Sequence, residues 1–273
     1  MVTTKSHVLQ QAVKAAVKSF FIAQGKRAIS RLALAGYPRG DSVDVNSLLD
    51  IESETESLLQ VVRLPLVRGI SLGAADALRV LKQKLPTQKS AGSIVRILAG
   101  AGLPDALRPA IVAAALEIES APYWMAIAEG TRSQISGVVK QAISEDWTGF
   151  TMAANIRGAI RDAADARAEL IAVAETVAAV NDGAMRATVY AQEQHPGSVL
   201  GKMWNTRGDE KVRESHQAMD GQQVPAEDHF TFPSGESAPY PIHWSLPAKE
   251  RCGCRCSIQP VVIVQPDEME MVA

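Results

Sequence analysis

Two stretches decide the fold reading: W-N-T-R-G-D-E-K-V-R-E-S-H-Q-A-M-D-G at Trp204–Gly221 and L-P-A-K-E-R-C-G-C-R-C-S-I-Q-P at Leu246–Pro260. All three cysteines of the chain, Cys252, Cys254 and Cys256, fall within five residues. Four of the five histidines lie between His195 and His243. Beyond His195, Pro196 and Gly197 the composition changes: proline, glycine and aromatics rise and helical periodicity fades. A small polar module therefore follows a long alanine-rich chain. The sequence predicts an α+β protein, with a mostly α-helical region over 1–194 and a small α+β domain over 195–273.

Upstream of the boundary the pattern is helical. Val8, Ala12, Ala15, Ala16, Phe20, Ala23 and Ile29 recur at steps of three and four, which predicts a helix over 7–34. Gly36, Pro38 and Gly40 break it. A second helical block is expected over 41–85, interrupted at Pro65 and Gly69, with acidic residues at Ser53 to Glu56 suiting a helix start. A polar loop over 86–93 and short helices over 94–98 and 106–118 follow, the last two separated by a turn at Gly100 to Pro104. Long helices are expected over 123–147 and 151–190, weakened at Gly130, Gly158 and Gly183. Downstream, strands are expected over 202–205, 222–224, 230–232 and 257–264, and a frayed acidic tail over 265–273. Asp209 reads as the N-cap of a helix running through Ala218, and Gly221 as its stop. Trp124, Trp147, Trp204 and Trp244 read as packing anchors.

Composition removes several classes of function. The chain has 273 residues and a net charge of -2, so a DNA contact would have to be local. Its hydrophobic content of 47% supports a real core, although aromatics are only 5% and alanine stands in for them. Lys5, Lys14 and Lys18 break any secretory signal, and the longest apolar run, near Ile111 to Leu116, is too short to span a bilayer. An odd number of cysteines, two residues apart, argues against a disulfide scaffold and for a reduced, cytoplasmic place of assembly.

The cysteines carry the sharpest chemistry. Cys254 and Cys256 as thiolates, with His216 and a fourth ligand among Cys252, His229, His243 and Asp228, would form a structural Zn(II) site. The competing reading packs both thiols as small buried side chains, with His216 hydrogen-bonded in the core. Residues two apart on a strand reach one metal only where the backbone turns, and Gly253 allows such a turn. A third reading is a hydrolase, with His216 paired to Asp209 or Asp220 and a cysteine nucleophile. No nucleophile elbow, phosphate loop or His-Glu-x-x-His motif accompanies it. Lys249, Arg251 and Arg255 form a basic cluster, fit for a phosphate or acidic partner or simply a solvated rim that Glu250 offsets. Arg167 and Glu175, eight apart on a helix, are candidates for pairing with other helices or with the C-terminal domain.

The order Trp204-x-Thr206, Asp209-x-x-Val212-Arg213-x-x-His216, Asp220-Gly221, Tyr240-Pro241, Glu250 and Cys254-Arg255-Cys256, preceded by the helix Arg167 to Thr176, resembles the phage Mu F-like family of minor head proteins over about residues 165–262. The chain departs from that pattern at Ala174, His243 and Gly253. The resemblance implies a structural, non-enzymatic protein of the virion of a tailed phage or prophage, assembled in the host cytoplasm. The implied partners are the portal protein, the major capsid or scaffolding protein, and packaged DNA, with no membrane. An internal protein ejected with DNA is the remaining alternative, besides the hydrolase centred on His216 and Cys254.

Overall fold

In the computed structural model, residues 4–85 and 103–264 are described; the loop and short helix expected over 86–98 and the tail over 265–273 lie outside them. Helix α1 spans Thr4–Leu34, and a short helix α2, Val45–Leu48, precedes α3, Ile51–Lys84. Then come α4 (Arg108–Glu119), α5 (Tyr123–Ser144) and α6 (Gly149–Gln194). The C-terminal segment holds β1 (Val199–Asn205), α7 (Glu214–Gln217), β2 (Gln223–Pro225), β3 (Phe230–Thr231), β4 (Ser237–Ala238), α8 (Ala248–Arg251) and β5 (Ser257–Val264). The α+β expectation holds. Helix α3 continues through Pro65, where the sequence suggested a break. By length and composition alone, Val45–Lys84 and Asp105–Ser144 are apolar and long enough to cross a membrane, although neither holds a long continuous apolar run. Part of each apolar stretch is buried inside the protein, at 39% and 35%, as in core helices that pass the same test.

The chain divides into two compact units. One comprises residues 10–64 and 119–172. Its core joins Ala28, Leu32, Leu48, Leu49, Ile135, Val139, Met152, Ile156 and Ile160, with Trp147 packed against the edge. Glycine lets these helices approach closely at one point: a Cβ on Gly25 would stand 2.9 Å from the Ile160 side chain. Arg167 is the polar anchor of this unit. It donates to Thr131 Oγ1 at 3.0 Å, Gln134 Oε1 at 2.7 Å and the Ile127 carbonyl at 3.1 Å. Its guanidinium also lies 4.0 Å from the Phe21 ring centroid. The Arg side chain fits because its planar fork serves several acceptors at once.

The other unit comprises the described parts of 1–9, 65–118 and 173–273, and so includes residues on both sides of position 195. Within it α3 and α6 touch backbone to backbone. A Cβ on Gly73 would stand 1.9 Å from the Val180 carbonyl oxygen, and one on Gly183 1.8 Å from that of Ile70. Gly183 is therefore a contact residue as well as a weak point of its own helix. The strands follow, in the order β2-β1-β5, all antiparallel, with β3-β4 as a separate hairpin. In this register Trp204 faces Ile258 and Lys202 faces Pro260. Asn181 of α6 fixes β5 from outside the sheet. Its Nδ2 donates to the carbonyls of Pro241 and Cys256, both at 3.2 Å, and its Oδ1 accepts from the Ile258 N–H at 3.1 Å.

Candidate functional site

The site is built from three sequence-distant pieces. Strand β1 delivers Trp204, whose fully buried ring meets Phe230 at 5.2 Å and Phe232 at 5.4 Å, edge to face. His216, in α7, stands edge-on to the same indole at 5.6 Å. The turn ahead of β5 brings Cys254 and Cys256. Gly253 takes φ +70 there, a left-handed conformation that a glycine adopts without cost. This is the turn that two thiols at alternate positions need in order to face one point.

Among the described residues, one His/Cys/acid group converges on a common point: His216, Cys254 and Cys256, with ligand atoms within 4.8 Å of one another. His216 Nδ1 lies 3.3 Å from Cys256 Sγ and 3.4 Å from Cys254 Sγ. The other ring nitrogen, Nε2, is 2.9 Å from Glu250 Oε2, which also accepts from Ser215 Oγ at 2.9 Å. His216, Cys254, Cys256 and Glu250 are all buried. Cys252 is exposed and outside the group, and all three thiols are free. His229 and Asp228 are also exposed, and His243 hydrogen-bonds Ser245 Oγ through Nδ1 at 2.7 Å. Of the proposed ligands, then, the fold collects three and leaves the fourth candidates elsewhere.

The thiols titrate as a pair. Cys254 is held down at about 5, first by the hydrogen bond it accepts from the Cys256 thiol and then by His216. Cys256, which donates that bond, is pushed up, since its ionisation would place a second thiolate beside the first. The Trp204 indole N–H favours a Cys256 thiolate but makes no hydrogen bond of normal geometry. Burial works against a charged His216 ring; Cys254 and Glu250 outweigh it and raise the ring's pKa.

The other motif residues brace this centre. Arg255 makes a two-pronged bond to Asp209, at 2.7 and 2.6 Å. Asp209 does not cap a helix: it also accepts from the Lys211 N–H at 3.1 Å, and α7 begins only at Glu214, with Arg213 at its N-cap. The intervening Asp209 turn has stopped the helix from starting where the sequence suggested. Arg213 instead donates to the Cys252 carbonyl. Asp220 Oδ1 accepts from the Thr206 N–H at 2.7 Å, and Gly221 takes φ +76. The basic cluster is fully paired: Lys249 with Glu236 at 2.8 Å, Arg251 with Glu175 at 3.7 Å, and Arg255 with Asp209. Glu175 thus meets the C-terminal segment, whereas Arg167 serves helices α1 and α5 of its own unit. Sequence reasoning did not foresee the contact of Glu250 with His216, because 34 positions separate them. A shallow cleft lined by Lys211, Arg213, His216, Gly253, Cys254 and Arg255 opens onto the group.

No curated protein and no solved structure matches the chain. The family described as Phage Mu protein F like protein matches residues 133–259, a segment that contains Arg167, Glu175 and the whole His216, Glu250, Cys254 and Cys256 arrangement. Over those residues the chain is similar to the phage Mu protein F like family, which suggests a phage head morphogenesis protein.

Proposed function

We propose that this chain is a structural minor head protein of a tailed phage or prophage, built into the head at the portal vertex or on the inner face of the capsid. The family match over residues 133–259 carries this reading. The partners are the portal protein and the major capsid or scaffolding protein, with packaged DNA as a local contact. The helices of 1–194 supply the docking faces, and the segment 195–273 is the rigid second contact. Exposed apolar side chains support this assignment. Phe150 is 69% and Leu170 61% exposed on α6, and Val112 and Leu116, one turn apart on α4, are 58% and 61% exposed. Apolar side chains at such spacing suit a partner helix. Quantitative mass spectrometry of purified heads, with the portal as internal standard, tests it. A small fixed copy number per portal supports the reading, and loss on DNA release adds an ejection role. Absence from heads overturns it.

A second reading rests on one observation. Cys254 Sγ, His216 Nδ1 and Glu250 Oε2 stand in the contact order of a nucleophile, a base and an orienting carboxylate. Cys254 is only 2% exposed, which leaves a substrate little access to its sulfur. The structural reading is therefore preferred.

A further inference from the structure

We propose that His216 Nδ1, Cys254 Sγ and Cys256 Sγ are the three protein ligands of one Zn(II) ion, with Glu250 orienting the imidazole and solvent filling the fourth position from the adjoining cleft. The inference is independent of the head-assembly reading.

Three observations carry it. First, the spacing fits. Ligand atoms on a tetrahedral zinc stand about 3.5–3.8 Å apart, given Zn–S of about 2.3 Å and Zn–N of about 2.0–2.1 Å. The two N–S separations here are 3.3 and 3.4 Å, so small side-chain rotations would seat an ion. Second, the histidine is held as a metal ligand is held. A ligating imidazole turns its second nitrogen to a carboxylate, which fixes the ring. Glu250 occupies that place at 2.9 Å and is itself steadied by Ser215. Third, the backbone is bent for the purpose. Gly253 at φ +70 and the Cys256 N–H, 3.4 Å from Cys254 Sγ, form the turn that puts both sulfurs on one side. Two thiolates would balance the divalent ion, and the neutral ring would donate its second N–H to the buried Glu250 carboxylate. Cys252 is exposed, lies outside the group and is not a ligand.

The test uses the full-length chain, purified under reducing conditions from zinc-supplemented medium and dialysed against metal-free buffer. Elemental analysis should give about one zinc per chain. Replacement by Co(II) should give a thiolate-to-cobalt charge-transfer band and the intense visible bands of a tetrahedral site. Cys252→Ser should retain the metal, and Cys256→Ser should lose it. Glu250→Gln, which keeps the side chain's shape, should weaken zinc roughly 10–100-fold in a chelator competition. A wild-type chain that holds no zinc and gives no cobalt spectrum overturns the proposal, whatever the variants do. Loss of metal in Cys252→Ser overturns the ligand assignment.

Discussion

Asn181→Ala should be among the most damaging single changes outside the aromatic core. Asn181 is 1% exposed and serves three backbone groups of the C-terminal segment. Truncation to alanine would leave the carbonyls of Pro241 and Cys256 and the N–H of Ile258 without that partner. Each buried group left unpaired costs about 1–3 kcal/mol. Carbonyls keep a second lone pair, and some relaxation is expected, so a total of about 3–5 kcal/mol is reasonable. That is a large share of the ~5–15 kcal/mol that stabilises an ordinary domain. Asn181→Asp is a sharper probe. At neutral pH it would set a carboxylate against two carbonyl oxygens, so it should be at least as harmful as alanine. It should recover in part as acid protonates the carboxyl and restores one donor. The assay is urea unfolding of the full-length chain, read by tryptophan fluorescence, since Trp204 pairs with the strand that Asn181 holds. A loss below about 1 kcal/mol for Asn181→Ala, with an unchanged slope in urea, would refute the account.

Gly183→Ala and Gly73→Ala should each cost about 1–3 kcal/mol or more, because the added methyl would overlap backbone that can move only if α3 and α6 separate. Gly158→Ala, with nothing within 4 Å of its Cβ, should instead raise the melting temperature through helix propensity worth up to ~1 kcal/mol. Lys202 is fully buried, donates to the Ala226 carbonyl at 2.9 Å, and burial lowers its pKa to about 8. Folding therefore disfavours its charged form: the penalty is complete below pH 8, fades as pH rises from about 8 to about 10.5, and is absent above. The stability difference between Lys202→Met and wild type should shift in favour of wild type by on the order of 3 kcal/mol across that window, measured by urea unfolding at stepped pH. Parallel curves would refute the burial argument. Arg167→Lys should destabilise by about 1–3 kcal/mol, since one ammonium cannot serve Thr131, Gln134 and the Ile127 carbonyl together. Thermal melting of that variant at neutral pH decides it.

Local signals carried the helices and most strands, and non-local ones escaped. The strand over 257–264 was legible because a run of β-branched residues, Val261 to Val264 with Ile258 before it, and a flanking turn lie within one short window. Helix α6 was legible over most of its length for the corresponding reason, a long alanine-rich stretch without proline. Asp209 misled because a capping residue and a turn residue look alike in sequence; only its bond to Arg255, 46 positions away, shows which it is. Gly183 misled in the opposite sense. A glycine read along its own helix registers as lost propensity, and its value as a contact appears only with Ile70 in place. The cysteine pair and His216 were legible as a chemical set, but Cys252 could not be excluded by spacing, since its departure depends on the Gly253 turn.

The arrangement explains how so small a sheet stays ordered. Three strands of modest length, one of them only three residues, offer little buried area by themselves. What they lack in area is supplied by fixation from three directions on the same few residues. Trp204, Phe230 and Phe232 fill the centre. Asn181 holds the Cys256 carbonyl and the Ile258 N–H from α6. His216 of α7, braced by Glu250 of α8, holds the Cys256 and Cys254 side chains. Cys256 is gripped by its backbone on one side and by its sulfur on the other, so the turn before β5 has little freedom. That stiffness suits the rigid contact proposed for this segment.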